Sequence, residues 1–179
     1  GVMSTLLKYH GHNLDEAMIF GIAHALTFVW MPLIKLNGMP LVSYRTAPRS
    51  IIKNTCKALG LKLSVRKFSD AESGQAALDA ALSSGKLAGL QTSVFWLPYF
   101  PPQMRFHFNA HNLLVYGKDG NDYLISDPVF ETVQRCAAED LQRARFAKGV
   151  LAAKGMMYTL EDNRPSEKIM ADLPAIIRK

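Results

Sequence analysis

The 179-residue chain is long enough for one domain with a real core and too short for two comfortable ones. Hydrophobic residues make up 49% and charged residues 20%, an ordinary globular composition, and no apolar run reaches the ~18 residues of a membrane-spanning helix. The net charge of +6 points to an acidic partner or substrate; with no run of five Lys or Arg residues and no aromatic-interleaved basic motif, nucleic acid is a poor candidate.

Residues 2–10 read as a helix, with apolar residues at 2, 3, 6 and 7 and Gly11 as its stop. Asn13 to Glu16 has the pattern of a capping box, so a second helix is expected from Asn13 to about Trp30, ended by Pro32. In that helix Glu16 is a cap and His24 a satisfied core histidine. Asn37-Gly38 is a turn signal. Pro48 suits the first turn of a helix that stops at Gly60. Residues 61–68 alternate and predict a strand. Ser69 and Glu72 repeat the capping pattern before a helix through Leu82 that ends near Gly85. A buried strand over 87–96 and the proline-rich loop LPYFPPQMRF come next, followed by a hairpin over 111–128 and a short strand over 129–135. A helix over 138–153, a strand over 156–160 and a terminal helix from Ser166 complete the chain. Helices first and mostly antiparallel strands afterwards predict an α+β fold. Residues 1–160 are expected to form the domain and 161–179 a C-terminal extension.

The hairpin HNLLVYGKDGNDYLISDP opens on His111 and closes on Asp127. A turn centred on Asp119 pairs Tyr116 with Asp122, Leu114 with Leu124, and His111 with Asp127. Directly opposed residues have Cβ atoms roughly 4.5–5.5 Å apart, within reach of a carboxylate–imidazole hydrogen bond. His111, Leu113 and Val115 share one face with Asp127, Ile125 and Tyr123. Such a carboxylate fixes the ring's tautomer and stabilises its protonated form, the orienting role found in nucleophile–histidine–acid sites. A surface histidine and a turn aspartate before proline are the plainer reading of the same spacing. A one-residue slip in the turn would separate the pair.

The same hairpin resembles that of the papain-like bacteriocin-processing cysteine peptidases, where a histidine opens a strand ending in Tyr-Gly and an Asp-Pro follows. The N-terminal segment is similar, more specifically, to the N-terminal domain of the butirosin biosynthesis protein H family. The matching residues are Tyr9-His10-Gly11, Leu14-Asp15-Glu16 and Phe20-Gly21-Ile22, with LQRAR over 141–145 as a later match. The resemblance spans about residues 1–150. It implies a papain-like α+β fold with N-terminal helices packed on an antiparallel sheet. It also implies a cysteine acyltransferase that moves an acyl group from the phosphopantetheine thioester of an acyl carrier protein to an amine. By that resemblance His111 is the general base and Asp127 its orienting partner. The family's cysteine falls three residues before Gly1, at the start of the first helix, where the helix dipole lowers a thiol's pKa. The chain as given is therefore expected to lack its nucleophile and to be inactive. A peptidase or amidase of the same fold, or a binding module without catalysis, are the alternatives.

Two cysteines give no disulfide framework, so a reduced, cytoplasmic setting is expected. Cys56 reads as a small core residue in a helix, and Cys136, between a strand and a helix, as a poor substitute nucleophile. His107 and Tyr99 are expected to line the substrate cleft. A metal site on His107, His111 and Asp127 lacks a completing ligand of known spacing, so no metal is expected. Nor is a resident cofactor, phosphopantetheine arriving only on an acidic acyl carrier protein. Gly117 and Gly120 serve the turn.

Overall fold

The structure, a computed structural model, describes residues 1–36, 38–161 and 164–178. The chain forms two units, one of Gly1, Met3–Leu63 and Leu160–Lys179, the other of Val2 and Ser64–Thr159.

In the first unit, α1 (Val2–Tyr9) buries Leu6 and Leu7, and Ser4 Oγ donates to the Leu14 carbonyl at 2.7 Å. The second helix, α2, spans only Glu16–Ile22, and its cap is Asp15, whose Oδ1 accepts from the Met18 N–H at 2.7 Å. Both its expected cap, Asn13, and its expected end, Trp30, are thus corrected. The chain turns at His24, where φ is 49°, and continues as β1 (Leu26–Leu36). The run Leu26–Ile34 is rich in β-branched and aromatic side chains, and Pro32 removes a helical N–H, so a strand suits it better than a helix. His24 consequently lies exposed at the bend and is not a core residue.

Strand β1 pairs antiparallel with β2 (Met39–Arg45), Trp30 opposite Val42. Of the expected Asn37-Gly38 turn, Gly38 has φ 80°, and Asn37 lies outside the described residues. The base of the hairpin is closed by Thr46 N–H donating to the Ala25 carbonyl at 2.9 Å. Phe28, Trp30, Val42 and Tyr44 all stand exposed on this hairpin, with the Phe28 and Tyr44 rings 5.6 Å apart. Helix α3 (Pro48–Leu59) has proline in its first turn and ends on Gly60 at φ 66°, as the sequence predicts. Arg164 donates to the Leu59 carbonyl at that end. Helix α6 (Ser166–Ile177) is tied to the first helix's stop by Ser166 Oγ donating to the Gly11 carbonyl at 2.8 Å.

The six-stranded sheet runs in the order β3 (Lys62–Arg66), β8 (Met157–Glu161), β4 (Ala88–Thr92), β5 (His111–Asp119), β6 (Asp122–Ser126), β7 (Gln134–Ala137). In the second unit α4 (Ala71–Ser83) and α5 (Ala138–Arg145) supply Leu78, Leu141 and Ala144 to a core with Leu90, Leu113, Val115, Tyr123 and Ile125. The cap of α4 is Asp70, accepting from Ser73 N–H at 2.7 Å, one residue beyond the expected Ser69. Gly89 lies under the buried Tyr158 ring, whose atoms would stand 2.1 Å from a Cβ there. Only glycine, which has no Cβ, leaves room for the ring at this position.

The β5–β6 hairpin departs from the expected register. Asp119 pairs with Asp122 around Gly120-Asn121, and Gly120 takes φ 59°. This is a two-residue turn with glycine at its first central position, tighter than a turn centred on Asp119. Pairing proceeds through Gly117↔Leu124, then Val115↔Ile125 and Leu114↔Ser126, with an irregularity at Tyr116.

Candidate active site

His111 opens β5, and its partner across the sheet is Thr92 of β4. Asp127 follows the last residue of β6. Continuing the Leu114↔Ser126 register places Asp127 across from Leu113, two residues along from His111. The expected direct opposition is therefore replaced by a diagonal one. Side chains alternate with period two, so a two-residue difference leaves both groups on one face. Diagonal neighbours remain within reach of a long side chain.

The contact is short. His111 Nε2 lies 2.7 Å from Asp127 Oδ2, with the His111 side chain 11% exposed and that of Asp127 0%. A buried carboxylate is stable only when its oxygens accept hydrogen bonds. Asp127 Oδ1 accepts from the Val129 N–H at 3.0 Å, an Asx turn across Pro128. Oδ2 accepts from the Tyr99 hydroxyl at 2.8 Å as well as facing His111. Burial, reinforced by the Asp127 charge, pushes the Tyr99 phenol far above its ordinary pKa, so it remains a protonated donor. The Phe100 ring meets His111 edge-on at 5.5 Å, and Phe130 stands edge-on to both Tyr99 and Phe100 at 5.5 and 4.9 Å.

With Nε2 engaged by Asp127, Nδ1 is the ring nitrogen left to accept a proton. This is the arrangement of an oriented general base.

The other sequence candidates are distributed differently. Tyr99, expected in the substrate cleft, has its hydroxyl on Asp127. His107 is exposed and stacks on Phe95 at 4.0 Å; Phe95 meets Trp96 edge-on, and the Arg143 guanidinium lies 5.9 Å from the Trp96 ring. Cys56 is buried within α3. Cys136 sits in β7 opposite Tyr123, and burial, with Asp140 and Asp122 adding to it, pushes its thiol up to about 12. A thiol so held is a poor nucleophile. Among the described residues no three His, Cys, Asp or Glu side chains are grouped to hold a metal ion.

Sequence reasoning missed Phe100 and Val129, which contact the pair, because neither carries titratable chemistry. It also gave Arg145 of LQRAR no role. Arg145 is fully buried, donating to the Gly74 carbonyl at 2.9 Å and to Gln142 Oε1 at 3.1 Å. Its neighbour Ala144 accepts from Ser93 N–H at 2.8 Å, one residue beyond the strand partner of His111.

The family model for butirosin biosynthesis protein H, N-terminal, matches residues 1–128. Among solved structures the chain is similar to a C39-like peptidase from Bacillus anthracis, with 13% identity, 91% of this chain and 87% of that chain covered, and a TM-score of 0.59. It is also similar to the peptidase domain of Streptococcus ComA, a bifunctional ABC transporter involved in a quorum-sensing pathway, with 17% identity, 91% and 89% covered, and a TM-score of 0.52. The fold is therefore the α+β fold of the papain-like C39 peptidase domains. No curated protein sequence matches the chain.

Proposed function

Because the chain belongs to the butirosin biosynthesis protein H, N-terminal family, we propose that it carries the base and orienting acid of a cysteine-dependent acyltransferase. The buried 2.7 Å contact between His111 Nε2 and Asp127 is the observation that supports this reading most directly. The nucleophile is a cysteine that the family pattern puts three residues ahead of Gly1.

In the first half-reaction His111 Nδ1 takes the thiol proton as the sulfur attacks a thioester carbonyl. The tetrahedral intermediate expels the carrier's pantetheine thiolate, which receives that proton from the imidazolium. In the second half an amine attacks the acyl-enzyme. His111 takes the amine's proton and returns it to the departing cysteine sulfur. Asp127 holds the ring's tautomer and faces the imidazolium charge in both halves. The chain's +6 charge suits an acidic acyl carrier protein as donor.

The likeness to C39-like peptidases supports one other reading, with water in place of the amine. The chemistry is common up to the acyl-enzyme. Protein that includes the cysteine should be incubated with acyl-carrier thioester plus amines, and separately with peptides, and the products followed by mass spectrometry. Acyl-amide formation that falls roughly 10²–10⁴-fold in His111→Ala supports the transferase. Peptide cleavage without amide formation selects the hydrolase. Undiminished transfer in His111→Ala rejects both.

A further inference from the structure

We propose that Tyr99 is a positioning residue for the His111–Asp127 pair, and that the proline-rich loop 97–105 is the bracket that holds it there. The inference rests on the reading of His111 as the base.

A carboxylate turns easily about its terminal torsion, which is broad and roughly two-fold. Two points outside the imidazole are needed to fix its plane. The Val129 N–H on Oδ1 is one, at 3.0 Å. The Tyr99 hydroxyl is the other, at 2.8 Å, on the same Oδ2 that meets His111 Nε2 at 2.7 Å. Asp127 therefore has one donor on its far oxygen and two converging donors on its near one. The plane of the carboxylate, and through it the imidazole, is set by Tyr99 as much as by the hairpin.

The loop is built to keep that hydroxyl in place. Arg105 Nε donates to the Phe100 carbonyl at 2.7 Å, and Arg105 Nη2 donates to the Pro98 carbonyl. These are the carbonyls of the residues before and after Tyr99, so one guanidinium fork ties down both of its chain neighbours. Pro98, Pro101 and Pro102 each fix a φ angle in the same segment. Phe100 N–H donates to the Leu97 carbonyl at 3.1 Å, and Leu97 and Phe100 are both buried. The loop reaches both halves of the pair, since Phe100 lies edge-on to His111 while Tyr99 holds Asp127. Phe130 closes the bracket from the other side. Its ring meets both loop aromatics, and its N–H donates to the Asp127 carbonyl at 3.1 Å.

Tyr99→Phe removes one oxygen and keeps the ring. Nitrogen-15 and proton NMR of the His111 ring report the contact directly in the chain as it stands. The expected result is an upfield move of the Nε2-bound proton, exchange with water at least about tenfold faster, and a mixed tautomer where the wild type shows one. Arg105→Gln should move the same signals in the same direction, by less. In protein that includes the cysteine, Tyr99→Phe should lower kcat roughly tenfold with the donor KM unchanged and displace the acid limb of the pH–rate profile. Phenylalanine signals identical to wild type, with an unmoved pH profile, overturn the positioning role. Altered signals alongside full transfer by His111→Ala would instead leave the contact standing and remove the catalytic reading.

Discussion

Cys136 is a thiol that the fold keeps from ionising, and the sign of the effect can be worked through. Its folded pKa is raised from 9.0 to about 12. The unfolded chain deprotonates first, so the stabilising preference for the neutral thiol is complete below pH 9 and is lost as pH rises through 9 toward 12. Tyr99 and Tyr123 are displaced in the same direction, chiefly by burial, and add to the loss above pH 10. Unfolding in urea should therefore show a stability drop between pH 8 and pH 10.5, with about 2 kcal/mol of it due to Cys136. The drop should shrink in Cys136→Ala, and a midpoint flat across that range would contradict the account. The same environment explains why a cysteine between a strand and a helix, legible in the sequence as a weak nucleophile candidate, is an inert one. Its burial and the approach of Asp122 come from the pairing of β6 with β7, which spacing alone does not reveal, while Asp140 comes from the helix that follows it. The His111–Asp127 pair was legible because alternation has period two and survives a two-residue error in register. The third partner, Tyr99, was legible as a residue near the site but not as a donor, since nothing local in a proline-rich loop says where its hydroxyl points.

Elements were legible where the local signal and the tertiary demand agree. Helix α3 has proline at its start, Gly60 at its end and a clean apolar stripe, and it forms where expected. The second expected helix stops at Ile22 because the helical pattern does not carry across Gly21 and His24, and the β-branched and aromatic residues after Ala25 favour a strand. Glycine requirements inside strands were also hidden. Gly89 reads as an ordinary strand residue, yet Tyr158 fills the space of its missing side chain. Gly89→Ala should cost about 3 kcal/mol, because a fully buried ring cannot give way by more than an ångström. Gly21→Ala, in α2 with nothing within 4 Å of the added carbon, should be neutral or stabilise by about 0.5 kcal/mol. Denaturant midpoints of the two variants test the contrast, and equal midpoints would refute it.

Across the whole chain the charge is divided very unevenly. Residues 17–69 contain no Asp or Glu, but they hold Lys35, Arg45, Arg49, Lys53, Lys57, Lys62, Arg66 and Lys67. The remaining 13 basic and 15 acidic residues give −2, so this one stretch outweighs the net +6 of the molecule. Arg49, Lys53 and Lys57 lie exposed at four-residue spacing on α3, which aligns them along one helix face. If the donor is the proposed acidic acyl carrier protein, its binding should weaken as salt rises, by about tenfold from 50 to 300 mM. Lys53→Glu with Lys57→Glu should weaken binding further at low salt, while Lys148→Glu with Lys154→Glu should have the smaller effect. Fluorescence anisotropy of a labelled carrier measures both, and a salt-independent affinity would exclude electrostatic docking.

The hairpin of β1 and β2 begins at Leu26 and ends at Arg45, and the residues just outside it, Ala25 and Thr46, are already hydrogen-bonded to each other. The chain has thus completed a turn before the hairpin starts to count. Twenty residues hang from a closed peptide junction, as a side branch hangs from a stem. A foreign segment grafted between Leu26 and Arg45 is therefore expected to leave the paths of α2 and α3 as they are, because the Thr46–Ala25 hydrogen bond closes the junction beneath it.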